Sequence, residues 1–185
     1  MGGCTFDYGE TTPEEYKYSD ITMEDLSYVR VRGGNPLAKL DAEIGERYEE
    51  KHLLELTNFT FEQYDNVNGG IDALGKGGIA SVEMDSGNVY MKNGIHIEVA
   101  SEDLIIETDN LRWNDKEKTL KGGDNDGVVI EKSDGTNFTG IGFSSDVRGR
   151  TWIFSSAASG TYVHTDDDEA AEAEVEAVAE IAAGN

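Results

Sequence analysis

Short runs of alternating apolar and polar residues, each closed by a turn dipeptide, dominate this sequence and limit what it can fold into. Between Ala38 and Tyr48, the residues Ala38, Leu40, Ala42, Ile44 and Tyr48 fall on one face while Lys39, Asp41, Glu43 and Arg47 fall on the other. That is the two-residue period of a half-buried strand. Ile95-His96-Ile97-Glu98-Val99 does the same, and so does Ile141-Gly142-Phe143-Ser144 leading to Val147. Gly33-Gly34, Gly69-Gly70, Ser86-Gly87, Asn93-Gly94, Asp126-Gly127, Asp134-Gly135 and Ser159-Gly160 supply the positive backbone angles that hairpins need. With 22 Gly against 2 Pro, tight turns are plentiful and long loops are not. The pattern predicts an all-β chain of short antiparallel strands paired mostly with their sequential neighbours.

A longer period lies over the alternation. Thr57-Asn58 precedes Phe59-Thr60-Phe61, Asn93-Gly94 precedes Ile95-His96-Ile97, Asp126-Gly127 precedes Val128-Val129-Ile130, and Ser159-Gly160 precedes Thr161-Tyr162-Val163. These strands start at 59, 95, 128 and 161, at intervals of 36, 33 and 33 residues. Another short strand comes before each: Leu53 to Leu56, Val89 to Met91, Thr119 to Lys121 and Trp152 to Phe154. A unit of that length cannot bury its apolar face alone, so neighbours must stack. The stack leaves an elongated core between two sheet faces, with open edges that are either covered or used for pairing.

Charge narrows the partners. Fifteen Lys and Arg against 38 Asp and Glu give a net charge of -23, which excludes phosphate-backbone binding by counterion release and so excludes nucleic acid. An anionic membrane face would repel the chain as well. The imbalance is uneven: Asp166, Asp167, Asp168, Glu169, Glu172, Glu174, Glu176 and Glu180 stand in the last segment with no base among them. Removing those eight from -23 leaves -15 for residues 1–165. Three parts follow: a polar tether over residues 1–20, a strand-rich domain over 21–164, and an acidic Ala/Glu-rich tail over 165–185. The tail carries one thin stripe of Val175, Val178 and Ala182 and is expected to be a marginal helix or disordered. No apolar run approaches the roughly 18 residues that cross a bilayer.

The single cysteine, Cys4, excludes an internal disulfide and a cysteine-based metal site. It follows Gly2-Gly3, and small residues directly before a cysteine look like the end of a lipoprotein signal peptide. The expectation is a lipid anchor at Cys4 on a chain processed or truncated ahead of it; the alternative is an incidental cysteine. Myristoylation at Gly2 would want Ser or Thr at the sixth position, where Phe6 stands.

Catalytic and metal motifs are thin. His52, His96 and His164 lie far apart, and none has a partner at zinc-helix spacing; His96, between Ile95 and Ile97, is expected to be solvated on an outer sheet face. Gly70 to Lys76 approximates a phosphate loop, but Gly77 stands where a Ser or Thr must ligate magnesium, so a hairpin loop is expected there. Asp124-Asn125-Asp126-Gly127 lacks the ladder of acids of a calcium loop and reads as a turn. The chain reads as a non-enzyme with no cofactor and no metal.

Several stretches together carry a family resemblance. They are Leu104 to Leu120 (LIIETDNLRWNDKEKTL), Asp134 to Phe143 (DGTNFTGIGF) and a closing Trp152-Ile-Phe154, preceded by Tyr28 to Arg32 (YVRVR), Leu40 to Ile44 (LDAEI) and Tyr48 to Leu56 (YEEKHLLEL). Over roughly residues 20 to 164 this order of elements resembles the LptC family of lipopolysaccharide-export proteins. The resemblance implies a twisted antiparallel β-jellyroll of two stacked sheets, held by a membrane anchor in the periplasm at the inner membrane. It implies that lipopolysaccharide or a related glycolipid is received from an inner-membrane ABC transporter and passed to an LptA-like bridge of similar jellyrolls by strand-edge pairing. Many members keep an N-terminal membrane helix, in place of which this sequence offers Cys4.

A carrier of acyl chains needs an adaptable apolar interior. The candidates for a lipid-binding groove are Leu40, Ile44, Leu54, Leu56, Phe59, Phe61, Met84, Met91, Ile95, Ile97, Leu104, Ile106, Trp113, Phe143, Trp152 and Phe154. The rival reading is that these side chains fill the space between two sheets, in a lipid-anchored structural or adhesive β-repeat domain with no lipid ligand. Arg30, Arg32, Lys39, Arg47 and Lys51 near the start of the domain would either meet lipid phosphates or solvate a strand face.

Overall fold

The computed structural model describes residues 18–65, 68–146 and 151–163. Cys4, most of the tether, Val147, His164 and the acidic tail lie outside the described residues. Within them the alternating runs form a 12-stranded antiparallel sheet. The first six strands are long and follow one another as neighbours: β1 (Ile21–Arg32), β2 (Asn35–Tyr48), β3 (Leu53–Tyr64), β4 (Ile71–Glu83), β5 (Val89–Val99) and β6 (Leu104–Asn114). The rest are short: β7 (Thr119–Gly122), β8 (Gly127–Lys132), β9 (Asn137–Ile141), β10 (Ser144–Asp146), β11 (Thr151–Ile153) and β12 (Ser156–Thr161).

The sheet divides at β6. Its second half, Leu111 to Asn114, pairs with β7, whereas its first half, Leu104 to Thr108, pairs with β8. From there β7 continues to β10 and β11, and β8 continues to β9 and β12. One sheet is thus folded over on itself, each long strand giving one half to each layer, and the two layers close on a shared core. This is the β-jellyroll expected from the sequence, reached by longer strands. Leu53 to Leu56 and Phe59 to Phe61 are not separate strands but two halves of β3, and Val89 to Met91 and Ile95 to Ile97 are two halves of β5.

The fold line is written in the residues that looked like turns. The ladders break at Asp25 and Glu43, at Asn58 and Gly78, and again between Lys92 and Ile95. Asp25, Asn58, Asn93 and Gly94 there have φ of 49°, 50°, 68° and 69°, a left-handed conformation that Asn, Asp and Gly adopt at lowest cost. In mid-strand, one such residue bends the strand without reversing it. The Asn58 amide donates to the Glu43 carboxylate at 2.5 Å, and the Asn110 amide donates to Asp126 at 2.6 Å, joining neighbouring strands along the crease. Ile141 to Ser144 creases in the same way: Gly142 has φ of 68° and separates β9 from β10, which join different layers.

Each crease also shifts the alternation by one residue. Leu54, Leu56, Phe59 and Phe61 all face inward along β3, so a three-residue step interrupts the period of two. On β2 the slip at Glu43 keeps Ala42 and Gly45 inward and takes Ile44 off the inner face. The long period has the same origin. Phe59, Ile95 and Val128 are each the first inward residue beyond the crease, and all are buried; one strand out and one back separates them. The fourth member fails, since Thr161 ends β12 and is exposed.

Candidate lipid groove

The interior is best followed as rows, because residues opposite one another in an antiparallel ladder share a face. Nearest the crease, Leu56, Ala80, Met91 and Leu111 of one layer are opposed by Ala42, Phe59, Ile95 and Val128 of the other, and all are buried. This floor is tightly filled: a methyl added at Gly77 would lie 2.5 Å from Ile95 Cδ1 and 2.9 Å from Phe59 Cε1. Farther out, Leu40, Leu54, Phe61, Val82, Val89, Val99 and Trp113 are only partly buried against the same core.

The last inward rows form the rim. In one layer the row passes from Arg47 through Leu54, Val82, Val89 and Trp113 to Leu120, Ser145 and Trp152. In the other it passes from Arg30 through Ala38, Gln63, Ala73, Val99 and Leu104 to Lys132. At the C-terminal end aromatic rings join the layers: Trp152 meets Phe138 edge-on at 6.4 Å, Phe143 meets Phe154 at 5.6 Å, and Lys132 Nζ lies 5.9 Å from the Trp152 ring. Among the described residues the interior is uncovered at the β1 end. Tyr28 and Ile21 take inward positions yet are 56% and 45% exposed. A cleft of about 260 Å³ lies at the tips of β4, β5, β6 and β8, lined both by inward Ala73, Val99, Leu104 and Lys132 and by outward Leu74, Glu98, Ile105 and Glu131.

The apolar interior is thus joined across by aromatic rings at its C-terminal end and exposes Tyr28 and Ile21 at the β1 end. Over residues 6–163 the sequence matches the family model for lipopolysaccharide-assembly, LptC-related proteins. The chain belongs to the LptC family. No curated relative matches it. Membership gives it a role in lipopolysaccharide transport, within a family of periplasmic, inner-membrane-associated transport components. No helix among the described residues is long and apolar enough to cross a membrane.

Leu56, Phe59, Met91, Ile95, Ile97, Leu104, Ile106 and Phe143 lie in the buried core, and Leu40, Leu54, Phe61, Trp113, Trp152 and Phe154 pack partly buried against it. Ile44 stands outside the cluster because of the slip at Glu43. Met84 also stands outside, 36% exposed in the turn after β4, with its N–H donating to His52 O at 2.8 Å. Val82, Val89, Leu111, Leu120, Val128 and Ile130 belong to the same apolar interior and were not among the expected groove residues, although their spacing around the Ser86-Gly87 and Asp126-Gly127 turns carried the signal.

Polar expectations shift too. Gly70 to Lys76 leads into β4 rather than forming a hairpin loop; Lys76 pairs in the ladder with Thr60 and His96. His96 faces outward as expected but is half-buried, not freely solvated. Its Nδ1 lies 2.9 Å from Glu107 and its Nε2 3.1 Å from Glu98, and hydrogen bonding to Glu107 and then Glu98 raises its pKa above the ordinary histidine value. No group of three metal-ligating side chains occurs among the described residues. Of the early bases, Lys39 points outward to Asp41 at 2.6 Å and Lys51 lies over the Tyr48 ring, whereas Arg30 and Arg47 hold inward rim positions. The Asp115 carboxyl, lowered chiefly by Lys118 at 2.7 Å, is lowered slightly further by the Arg30 charge.

Proposed function

We propose that this protein carries lipopolysaccharide or a related glycolipid by taking its acyl chains between the two layers of the jellyroll. The observation behind the reading is the gradient of burial along one continuous inward face. It runs from Phe59 and Ile95, each 2% exposed, through half-buried Phe61, Leu54 and Trp113, to Tyr28 in the open. A filled core would be sealed on every side; an acyl chain needs an apolar wall it can reach from solvent.

Both ends of the sheet suit a relay. β1 is an edge strand with Val29 and Val31 exposed, and at the other end β11 and β12 leave Ile153 and the whole of β12 exposed. Unpaired edge strands accept another strand. In this reading inner-membrane ABC transporter subunits deliver the lipid, and an LptA-like periplasmic bridge receives it through an edge. Cys4 carries the lipid that fixes residues 1–20 to the inner membrane as a tether, residues 21–164 bind the cargo, and residues 165–185 stand apart as an acidic tail. The driving energy comes from the transporter's nucleotide hydrolysis, with no catalytic group needed in this chain.

Photoreactive residues at Phe61, Leu54 and Trp113 are expected to crosslink to glycolipid, while the same probe at the outward-facing Glu62 is not. Crosslinks confined to β1 and β12, and to protein alone, would leave a docking domain with a filled core and remove the carrier reading.

A further inference from the structure

One outer face of this acidic protein is basic over part of its width. In the layer that contains β7 and β10, an outward row runs from Ser81 through Tyr90, Arg112 and Lys121 to Ser144 and Ile153. In the row beside it, nearer the crease, Ile79 pairs with Lys92 and Lys92 with Asn110. From β4 to β11 these two rows hold three bases and no acid, in a chain of 38 acids and 15 bases. On β2 and β3 the first row carries Glu46 and Glu55, so the charge changes sign across the face.

Local acids do not neutralise this patch. Lys92 and Lys121 are exposed and make no ion pair among the described residues. The Arg112 guanidinium lies over the Tyr90 ring, 4.4 Å from its centre, and donates to the Tyr90 hydroxyl. Of the bordering acids, Glu83 feels the Arg112 charge but is already held by Ser86 and Asn88 at 2.7 and 2.9 Å. Asp126 accepts from Asn110 at 2.6 Å, Asp109 stands in the crease, and Asp146 lies one row nearer the tips, opposite Thr119.

We propose that the patch of Lys92, Arg112 and Lys121 is the docking site of the chain's own C-terminal tail, residues 165–185, whose eight acids have no base among them. The seat is on an outer face, so the tail stays apart from the cargo. Spacing supports the match. Lys121, Arg112 and Lys92 stand on successive strands, one step straight across at about 5 Å and one diagonal at about 7–8 Å. As a helix, the tail would set Glu172, Glu176 and Glu180 about 6 Å apart along one side. Three acids would then span about 12 Å, as the three bases do. Left alone, like charges at that spacing repel; the patch supplies their counter-charges. Reach is sufficient. The described chain ends at Val163, whose N–H donates to Thr136 Oγ1 at 3.0 Å near the tip of the other layer. From there Lys121 is two strand spacings in, five residues along and one layer over, about 22 Å in a straight line. Residues 164–171, extended, cover about 27 Å. So short a tether gives the tail an effective concentration in the millimolar range, where surface ion pairs that are weak singly hold it in place.

Carbodiimide joins a lysine amine to a carboxylate with no spacer and so reports such contacts directly. Applied to the full chain at low salt, with products mapped by mass spectrometry, it is expected to link Lys92 and Lys121 to acids between Asp166 and Glu180. Lys76, an exposed base of the opposite outer face, should gain no link to the tail. Arg112→Gln, which removes no reactive amine, should lower both links at least about twofold, and Lys76→Gln should not. Salt at about 1 M, where the Debye length is about 3 Å, should abolish them. Thermal melts by circular dichroism check that each variant is folded, and mixing isotope-labelled with unlabelled chains separates links within a chain from links between chains. Links spread evenly over Lys39, Lys76 and Lys116, links that survive high salt, or yields unmoved by Arg112→Gln overturn the assignment. Links between chains alone overturn it in favour of a second copy. Absence of any tail link also overturns it; sedimentation of the parent with phosphatidylglycerol vesicles, lost in the double variant Lys92→Gln, Lys121→Gln, would then make the patch a membrane face.

Discussion

Gly77→Ala is expected to destabilise the protein, against the usual sign for such a change. In an extended strand with no positive φ, replacing Gly by Ala commonly stabilises by about 0.4–1 kcal/mol, because the unfolded chain loses freedom. At Gly77 the new methyl would stand 2.5 Å from Ile95 Cδ1, 2.9 Å from Phe59 Cε1 and 3.0 Å from Phe59 Cζ. Both neighbours are 2% exposed and have nowhere to retreat. Overpacking of this kind costs about 1–3 kcal/mol, so the net expectation is a loss of about 1–2 kcal/mol, or about 3–6 °C in melting temperature for a chain of this size. Gly127→Ala is the control, since nothing lies within 4 Å of the methyl it would add; it should be neutral or slightly stabilising. Ile95→Val removes the closest atom, and the double variant Gly77→Ala, Ile95→Val should be more stable than the sum of the single losses predicts. Urea unfolding followed by circular dichroism and by the fluorescence of Trp113 and Trp152 reads the parent and all four variants. A Gly77→Ala protein as stable as the parent, or a cycle that is strictly additive, would refute the packed floor that this reasoning requires.

Other changes probe the crease, the floor and the outer face. Asn58→Ala loses both the residue suited to φ of 50° and the bond to Glu43 and should cost about 1–2 kcal/mol, whereas Asn58→Gly, which keeps the angle, should cost less; chemical denaturation distinguishes the two. Phe59→Ala should lose about 3–5 kcal/mol, and Phe61→Ala, half-buried nearer the rim, markedly less while weakening lipid crosslinking more. His96 has its pKa raised by Glu107 and Glu98, so its contribution to stability is complete below the unfolded value near 6.5 and fades as pH rises through the higher folded value. Melting temperature should therefore fall over that window in the parent and flatten in His96→Gln; an unchanged slope counts against the pairing.

Much of this was legible in the residues because side-chain alternation is a local property. Ile95, Ile97 and Val99 announce an inward row without knowledge of what they meet, and Asn93-Gly94 announces a left-handed backbone. What those residues could not announce is the angle that follows. A left-handed pair between two apolar runs serves equally for a reversal or a crease, and only pairing with flanking strands decides. Lys92 and His96 both hold partners on β4 and β6, so β5 must run on through the bend. The same ambiguity misplaced Ile44, where a strict period of two carried past Glu43 to the wrong face.

The sequence by itself determined the class of structure, the family and the chemistry of the two sheet faces: β-branched and aromatic residues alternating with acids can be satisfied only by a sheet with one wet and one dry side. Tertiary structure decided which bases face inward and how far the dry side is open. Arg30 and Lys132 are some hundred positions apart in the chain, yet they end one row because each strand in turn carries the register across the sheet. Whether an apolar residue is floor or wall depends on the distance to the opposite layer, which is set by the crease and by the rings that close one end, not by any residue's neighbours in sequence.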